Sequence, residues 1–290
     1  MKTKIITDSC CDLSPDYLNE NNVHVIPFTF HLDNLDYEDD FGKTLGYKSF
    51  YDLVRSGKMS TTSQITAYTF EKAFSKYIEE GQAVIYIGFS SALSKTFENA
   101  LMASNNILEK YPNADLSVID SRSATVGLGS LVYCGCEMLS GGKNKEEIVN
   151  WLEDNKLKLN HWFTVDSLDH LKRGGRISAT SAAIGSLLDV KPVLNVDDEG
   201  RLRSIKKVRG RKKAIKSLAD ELKAQIVNPE EQTIFISHGD CQEEAENLKN
   251  LITKDVKVKD VMINYIGPVI GTHTGAGVLC VTFFGTGRDS

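Results

Sequence analysis

Residues 83–95 read Ala-Val-Ile-Tyr-Ile-Gly-Phe-Ser-Ser-Ala-Leu-Ser-Lys, an apolar run that ends in a serine-rich loop. A helical pattern follows over residues 96–111 and is stopped by Pro112. A continuous apolar run is typical of a strand covered on both faces, and a strand followed by a helix of this length is typical of a βαβ unit. This stretch therefore predicts a parallel sheet flanked by helices.

Similar strand and helix patterns extend outward from this unit. Further strands are predicted at residues 4–7, 23–30 and 116–119, and further helices from residue 14 and over residues 49–55, 66–80, 124–139 and 144–155. The alternation of strands and helices supports a parallel α/β arrangement for this half of the chain.

The second half has a different pattern. Residues 190–196 and 202–208 flank Asp-Asp-Glu-Gly, which is a hairpin signal, and scattered strands and helices follow. We therefore predict an α/β fold of two domains. Residues 1–158 form a parallel-sheet domain, and residues 159–290 form a mixed-sheet α/β domain.

The composition narrows the functional class. The chain has 290 residues, 41% of them hydrophobic, and a formal net charge of −5, which disfavours nucleic-acid binding. The N-terminus lacks a signal-peptide pattern, and no apolar run is long enough to span a bilayer. The six cysteines lack repeated CxxC spacing. We expect a soluble cytoplasmic protein with free thiols, no metal site and no stable membrane insertion.

Polar side chains follow three of the predicted parallel strands. Ser9 follows the first, Ser91 and Ser94 follow the strand at residues 83–87, and Ser121 follows the next. Ligands of open α/β sheets bind at the carboxyl ends of strands, and a helix N-terminus favours an anion. Each serine is alternatively an ordinary helix cap. Together they favour a polar pocket for a small anion.

Three other loops carry similar chemistry. Residues 60–64 place Thr62 and Ser63 before a helix, where they either bind a carboxylate or form a turn capped at Thr66. Residues 171–178 place two glycines beside Arg176, which is either an anion cradle or a solvated charged turn. Residues 266–277 form a glycine-rich loop. Its candidates for binding the same anion are Gly271, Thr272, His273 and Thr274.

Two charged stretches complete the survey. The basic run at residues 201–216 begins with Arg201 and Arg203, and it is either a solvated face or a docking surface for an acidic partner protein. Residues 33–46 are acidic and polar, and we expect them to form a mobile surface segment.

The loops together resemble the DegV family of fatty-acid-binding proteins, the acyl carriers of bacterial fatty acid kinase. The motifs that carry the resemblance are Thr7-Asp8-Ser9 with Asp12, Thr62-Ser63-Gln64, Ser91-Ala92-Leu93-Ser94, Asp120-Ser121, residues 171–178 and residues 271–277. These motifs extend over nearly the whole chain, and their number, order and spacing carry the resemblance.

The resemblance implies a function and a site. A long-chain fatty acid such as palmitate lies in a buried tunnel between the domains, and no cofactor is needed. Hydroxyls at Thr62 and Ser94 hold its carboxylate with His273 nearby. A separate ATP-dependent kinase phosphorylates that carboxylate for phospholipid synthesis, and Arg201 or Arg203 contacts the kinase. The chain itself would then be a lipid-binding protein and not an enzyme.

This sequence departs from the family pattern at three positions, with Lys95 for a usual Gly and Ile65 and Ala276 for usual Pro residues. An added charge at Lys95 either tightens carboxylate binding or alters presentation to the kinase. Two alternative functions stay open. One is an enzyme, either a phosphotransferase or a serine hydrolase that uses Ser90 and a histidine on a small anionic substrate. The other is an interaction module that uses the basic strand.

Overall fold

The computed structural model describes residues 2–178 and 189–288. Its strands are β1 (Thr3–Asp8), β2 (His24–Ile26), β3 (Thr29–Leu32), β4 (Leu35–Glu38), β5 (Ser60–Ser63), β6 (Ala83–Gly88), β7 (Leu116–Asp120), β8 (Leu159–Thr164), β9 (Val190–Val196), β10 (Leu202–Arg209), β11 (Thr233–His238), β12 (Asp260–Tyr265) and β13 (Leu279–Phe284). Its helices are α1 (Pro15–Glu20), α2 (Tyr47–Arg55), α3 (Ala67–Glu79), α4 (Thr96–Lys110), α5 (Val126–Ser140), α6 (Lys145–Asn155), α7 (Asp169–Arg173), α8 (Arg211–Gln225), α9 (Gln242–Thr253) and α10 (Pro268–Thr274).

The N-terminal half contains the predicted parallel sheet. Its strand order is β2-β1-β6-β7, and every neighbouring pair is parallel. All six residues of β6 are buried, as expected for a central strand covered on both faces. The predicted α/β fold class is confirmed, with a parallel sheet in this half.

The prediction of a single strand at residues 23–30 is wrong. The segment divides at Pro27, which has no N–H to donate to a ladder. β2 belongs to the parallel sheet, whereas β3 pairs with β4 and β5 in a separate antiparallel sheet of order β4-β3-β5. The strand at residues 60–63 was also not predicted, because its serines and threonines suggested a turn.

The acidic segment at residues 33–46, predicted to be a mobile surface segment, begins with a hairpin that its composition did not predict. Asp33 and Asn34 have φ values of 51° and 63° and form a two-residue turn, so β3 and β4 make a hairpin. Asp39 follows the hairpin and is buried, with its N–H donating to the carbonyl of Phe28 at 2.8 Å. Two adjacent residues that tolerate positive φ were the sequence signal for this hairpin.

The C-terminal half contains a six-stranded mixed sheet of order β10-β9-β8-β13-β11-β12. Only β11 and β12 run parallel to each other, and the predicted hairpin joins β9 to β10. One face of this sheet packs against α8 and α9 in a separate apolar cluster. Its other face joins the core of the N-terminal half.

Helix α5 lies between the two large sheets and contacts strands of both. Two glycines permit the close approach: a Cβ on Gly129 would lie 2.4 Å from the carbonyl oxygen of Cys11, and one on Gly127 would lie 1.8 Å from Nε2 of His161. The sheets divide along the chain between α6 and β8, near the proposed division at residues 158 and 159, which stays a prediction.

Two of the predicted glycine loops contain short helices. α7 lies within residues 171–178 and its preceding turn, and α10 occupies most of residues 266–277. Gly267 precedes α10 and Pro268 occupies its first turn, a typical helix start that the loop's glycine content concealed. These helices position the side chains described next.

Candidate functional site

A cavity of about 460 Å³ lies between the two halves of the molecule. Its apolar lining comes from both halves and consists of Phe28, Phe89, Leu93, Ala124, Phe163, Leu171, Val196, Leu202, Ile266, Val269, Ile270, Val278 and Cys280. The volume is in the range of ordinary small-ligand sites. Such a lining suits a long apolar group.

Most polar side chains of the lining lie in or beside β5 and α10, just before α4, or just after α7. This group, which we call the polar mouth, consists of Thr62, Ser63, Gln64, Ser94, Lys95, Arg176 and His273. Ser63, Gln64 and Lys95 are exposed, so the mouth reaches the protein surface. Six of these seven residues belong to four of the six segments that sequence analysis selected, and Lys95 is the noted departure beside them.

The central contact of the polar mouth joins β5 to α10. Nε2 of His273 lies 2.9 Å from Oγ1 of Thr62. Burial lowers the pKa of His273 to about 4, with the positive charges of Arg176 and Arg173 adding to the effect. His273 is therefore neutral at pH 7, and together with Thr62 it offers a carboxylate hydrogen bonds without a formal charge.

The two glycines of residues 171–178 have different structural reasons. A Cβ on Gly174 would lie 2.3 Å from Nδ1 of His273, so a larger residue there would displace the imidazole. Gly175 has φ +71° and ends α7 in a conformation that glycine adopts readily. The pair thus places His273 against the turn that carries Arg176.

Ser94 is linked to β5 through one buried residue. Its Oγ donates to Oγ1 of Thr96 at 3.0 Å, and Oγ1 of Thr96 accepts from the N–H of Ile65 at 3.2 Å. Arg176 donates from Nε to the carbonyl of Leu93 at 3.1 Å. Sequence reasoning did not select Thr96, although its place at the start of a helix two residues after Ser94 was a usable signal.

Two buried carboxyl groups hold the start of α10. Oδ1 of Asp12 accepts from the N–H of Gly267 at 2.9 Å, and a Cβ on Gly267 would lie 3.0 Å from both Asp12 and Asp39. Burial raises the pKa of Asp39 to about 7 and raises that of Asp12 as well. These residues come from distant loops, so no sequence spacing could have joined them to His273.

Two further polar residues, Thr125 and His161, also line the cavity. Oγ1 of Thr125 donates to Oγ of Ser237 at 2.9 Å. His161 is 2% exposed, and its burial together with the charge of Arg288 lowers its pKa well below the usual value. Neither was selected from the sequence, where His161 reads as part of an apolar strand.

The other serines selected from the sequence lie outside the cavity lining. Oγ of Ser9 accepts from the N–H of Phe28 at 3.1 Å and so positions a lining residue. Ser91 donates to Asp120 at 2.6 Å on the surface. Ser121 is buried, and its Oγ accepts from the N–H of Ser123 at 3.1 Å.

The remaining selected residues of α10 make contacts that fix the position of this helix beside the site. Oγ1 of Thr272 lies 2.8 Å from Oγ of Ser60 and ties α10 to β5. Thr274 lines the cavity and donates to the carbonyl of Ile270 at 3.0 Å. Gly271 packs closely, since a Cβ there would lie 2.7 Å from Oη of Tyr51.

Ser90 does not have the surroundings of a hydrolase nucleophile. Its side chain is buried and donates to the carbonyl of Gly200 at 3.0 Å. His273, the histidine of the glycine-rich loop, contacts Thr62.

The two arginines selected for partner binding lie at a sheet edge. Arg201 precedes β10, the edge strand, and pairs with Glu199. Arg203 lies within β10 opposite Asn195. Between them Leu202 lines the cavity, so this edge strand forms part of the cavity wall.

Within residues 2–178 and 189–288, no helix has both the length and the apolar character required to cross a bilayer. Over the same residues, no group of three or more His, Cys, Asp or Glu side chains could hold a metal ion. All six cysteines are free.

An internal apolar cavity with one polar mouth, set between two α/β sheets, defines a binding protein suited to an amphipathic ligand. The model of the DegV family, described as uncharacterised, matches residues 2–286, and the chain belongs to this family. It is 48% identical over 288 residues to a DegV domain-containing protein of Clostridium perfringens, covering 99% of each chain.

Two solved structures are similar to this fold. One is described as showing fatty acid binding of a DegV family protein from Thermus thermophilus, with a TM-score of 0.89, 28% identity and coverage of 98% and 100%. The other is a stearic acid-binding protein from Eubacterium ventriosum, with a TM-score of 0.86, 28% identity and coverage of 98% of each chain.

Proposed function

We propose that this protein binds a long-chain fatty acid in the cavity with its carboxylate at the polar mouth. The observation that carries the proposal is a largely apolar cavity lining together with the polar mouth, whose side chains are neutral and cationic donors. Fatty-acid binding by the relatives from Thermus thermophilus and Eubacterium ventriosum supports the same ligand class. No cofactor takes part in this function.

The apolar lining would supply most of the affinity. Each buried methylene contributes roughly 0.8 kcal/mol, so a palmitate tail outweighs any single hydrogen bond at the mouth. Thr62, Ser94 and His273 would orient the carboxylate, with Ser63, Thr272 and Arg176 as neighbours. Neutral donors suit a carboxylate that must later react, because a tight ion pair would reduce its nucleophilicity.

The chain would act as the substrate-presenting partner of a separate ATP-dependent fatty acid kinase in the cytoplasm. The mouth is open at Ser63, Gln64 and Lys95, which leaves the carboxylate accessible to a second protein. The exposed Arg201 and the neighbouring Arg203 are the proposed kinase contacts. The acyl phosphate that forms would enter phospholipid synthesis.

Hydroxylamine trapping tests this proposal, because acyl phosphates react with hydroxylamine to give stable acyl hydroxamates. The palmitate-loaded protein is incubated with ATP and hydroxylamine, alone and with an extract of its host organism. We expect hydroxamate only when both the protein and the extract are present, and less with Arg203→Ala. Hydroxamate formed by the protein alone would instead make it a kinase. None in any mixture would refute the kinase role.

A further inference from the structure

Three side chains on the outer face of the antiparallel sheet form a continuous hydrogen-bonded chain. Nδ1 of His31 lies 2.6 Å from Oδ1 of Asp36, and Nε2 of His31 lies 2.6 Å from Oγ of Ser63. Neither of these two hydrogen bonds involves Thr62 or His273. Fatty-acid binding as proposed above gives no role to His31 or Asp36.

The strand register explains why these residues meet. His31 pairs directly with Asp36 across β3 and β4, so their side chains share one face. Ser63 on β5 pairs with Thr29 on β3. Ser63 therefore lies diagonally from His31, on that same face. Residues of β5 alternate between faces, so Thr62 points to the inner face and Ser63 to the outer.

The hydrogen-bonding capacity of the three groups orders the protons. A carboxylate oxygen accepts hydrogen bonds, so in the tautomer of His31 that carries its proton on Nδ1, this nitrogen donates to Asp36. Nε2 then has the free lone pair and accepts from the hydroxyl of Ser63. A serine bonded to a base, with that base oriented by a third group, is the arrangement of an activated nucleophile.

Ser63 also borders the cavity in which the proposed ligand would lie. It lines the cavity beside Thr62 and Gln64, in the polar mouth. Lys95 and Arg176 line the same mouth and are its two cationic side chains. We infer that Ser63, His31 and Asp36 form a second, catalytic site that transfers an activated acyl group to Ser63.

The reaction balances without a cofactor. Oγ of Ser63 attacks the carbonyl carbon of an acyl ester, thioester or acyl phosphate, and Nε2 of His31 takes the hydroxyl proton. Collapse of the tetrahedral intermediate breaks the bond to the leaving group, which receives that proton. Water, activated by His31, then cleaves the acyl-serine ester and releases the carboxylic acid. Asp36 positions the imidazole throughout.

The rate should be modest. The side chain of Asp36 is 76% exposed and that of His31 is 32% exposed, so water screens their interaction. Long-chain donors would use the same cavity as the proposed function, and to that extent the inference rests on it. A short ester needs no cavity, so it separates a failure of the triad from a failure of fatty-acid binding.

The test combines a fluorophosphonate probe, which labels activated serines, with hydrolysis of p-nitrophenyl acetate. The variants are Ser63→Ala, His31→Gln and Asp36→Asn. Ser167→Ala is the matched control, because Ser167 is an exposed serine that donates to the carboxylate of Asp169 at 2.6 Å. Circular dichroism checks that each variant folds, and peptide mass spectrometry locates the label.

We expect the label on Ser63, and hydrolysis that falls about tenfold or more in Ser63→Ala and His31→Gln. Ser167→Ala should behave like the unmodified protein. Asp36→Asn should slow both reactions and shift the pH profile of hydrolysis, which a purely structural role would not do. An unlabelled Ser63, or hydrolysis that survives in Ser63→Ala, would overturn the inference whatever the protein's affinity for fatty acids.

Discussion

The apolar lining of the cavity and its polar mouth differ in how the chain builds them. The lining is assembled from many separate segments of both halves, whereas the mouth comes from four: β5 with Gln64 after it, the residues before α4, the turn after α7, and α10. The lining offers area without direction, and the mouth offers directed hydrogen bonds with little area. We therefore expect the lining to set affinity and chain-length preference, and the mouth to set orientation and reactivity.

The largest effect should come from shortening the ligand. Each methylene removed from the ligand tail makes the binding free energy less favourable by roughly 0.8 kcal/mol. Dodecanoate should therefore bind about 200-fold more weakly than palmitate. Calorimetric titration with a series of saturated acids measures this dependence. An affinity that does not change with chain length would mean that the tail lies outside the cavity.

The next effect concerns the mouth itself. Thr62→Val removes a hydroxyl that would donate to the carboxylate, and a hydrogen bond to a charged group contributes about 1.5–3 kcal/mol. Palmitate affinity should fall roughly ten- to hundredfold. Thr61→Val is the matched control, since Thr61 lies on the opposite face of β5 and is exposed. Equal losses in both variants would contradict the assigned mouth.

A smaller change tests the positioning of His273. Gly174→Ala adds a Cβ only 2.3 Å from the present position of Nδ1 of His273. The imidazole must therefore turn away from Thr62. We expect palmitate affinity to fall about tenfold, the equivalent of roughly 1.4 kcal/mol. Gly46→Ala, where a Cβ would meet nothing within 4 Å, should leave the affinity unchanged. Unchanged binding in Gly174→Ala would separate His273 from the ligand.

The smallest effect should come from Lys95. Its side chain is exposed in the mouth, and exposed ion pairs contribute about 0.2–1 kcal/mol. Lys95→Met should weaken palmitate binding about two- to fivefold in dilute buffer, and the difference should shrink as salt screens the charge. Titrations at low and high salt measure this. A loss that is independent of salt would indicate a packing role instead.

The sequence predicted the mouth better than the lining. Six separate segments were selected from their hydroxyls, glycines and charges, and the structure brings together members of four of them: Thr62, Ser94, Arg176 and His273. Local residue chemistry survives in any fold, so the motifs that define the mouth are readable. The lining depends on how distant segments of the two halves meet, and no periodicity in one sequence specifies that packing.

The errors have local physical causes. Pro27 divided a run that looked like one strand, and a positive-φ turn at Asp33 and Asn34 made a hairpin from an acidic loop. Asp39 was assigned to the surface because its neighbours in sequence are acidic. Its side chain is instead buried beside the start of α10. Composition describes the average environment of a segment, whereas single residues decide where its backbone turns.

The most direct test of the account is a mass spectrum of lipid extracted from protein purified under native conditions. Because the apolar lining supplies most of the affinity, a long-chain fatty acid should remain bound through purification, at close to one molecule per chain. Protein that carries no fatty acid and takes up none from added palmitate would contradict the central claim that this cavity holds an acyl chain.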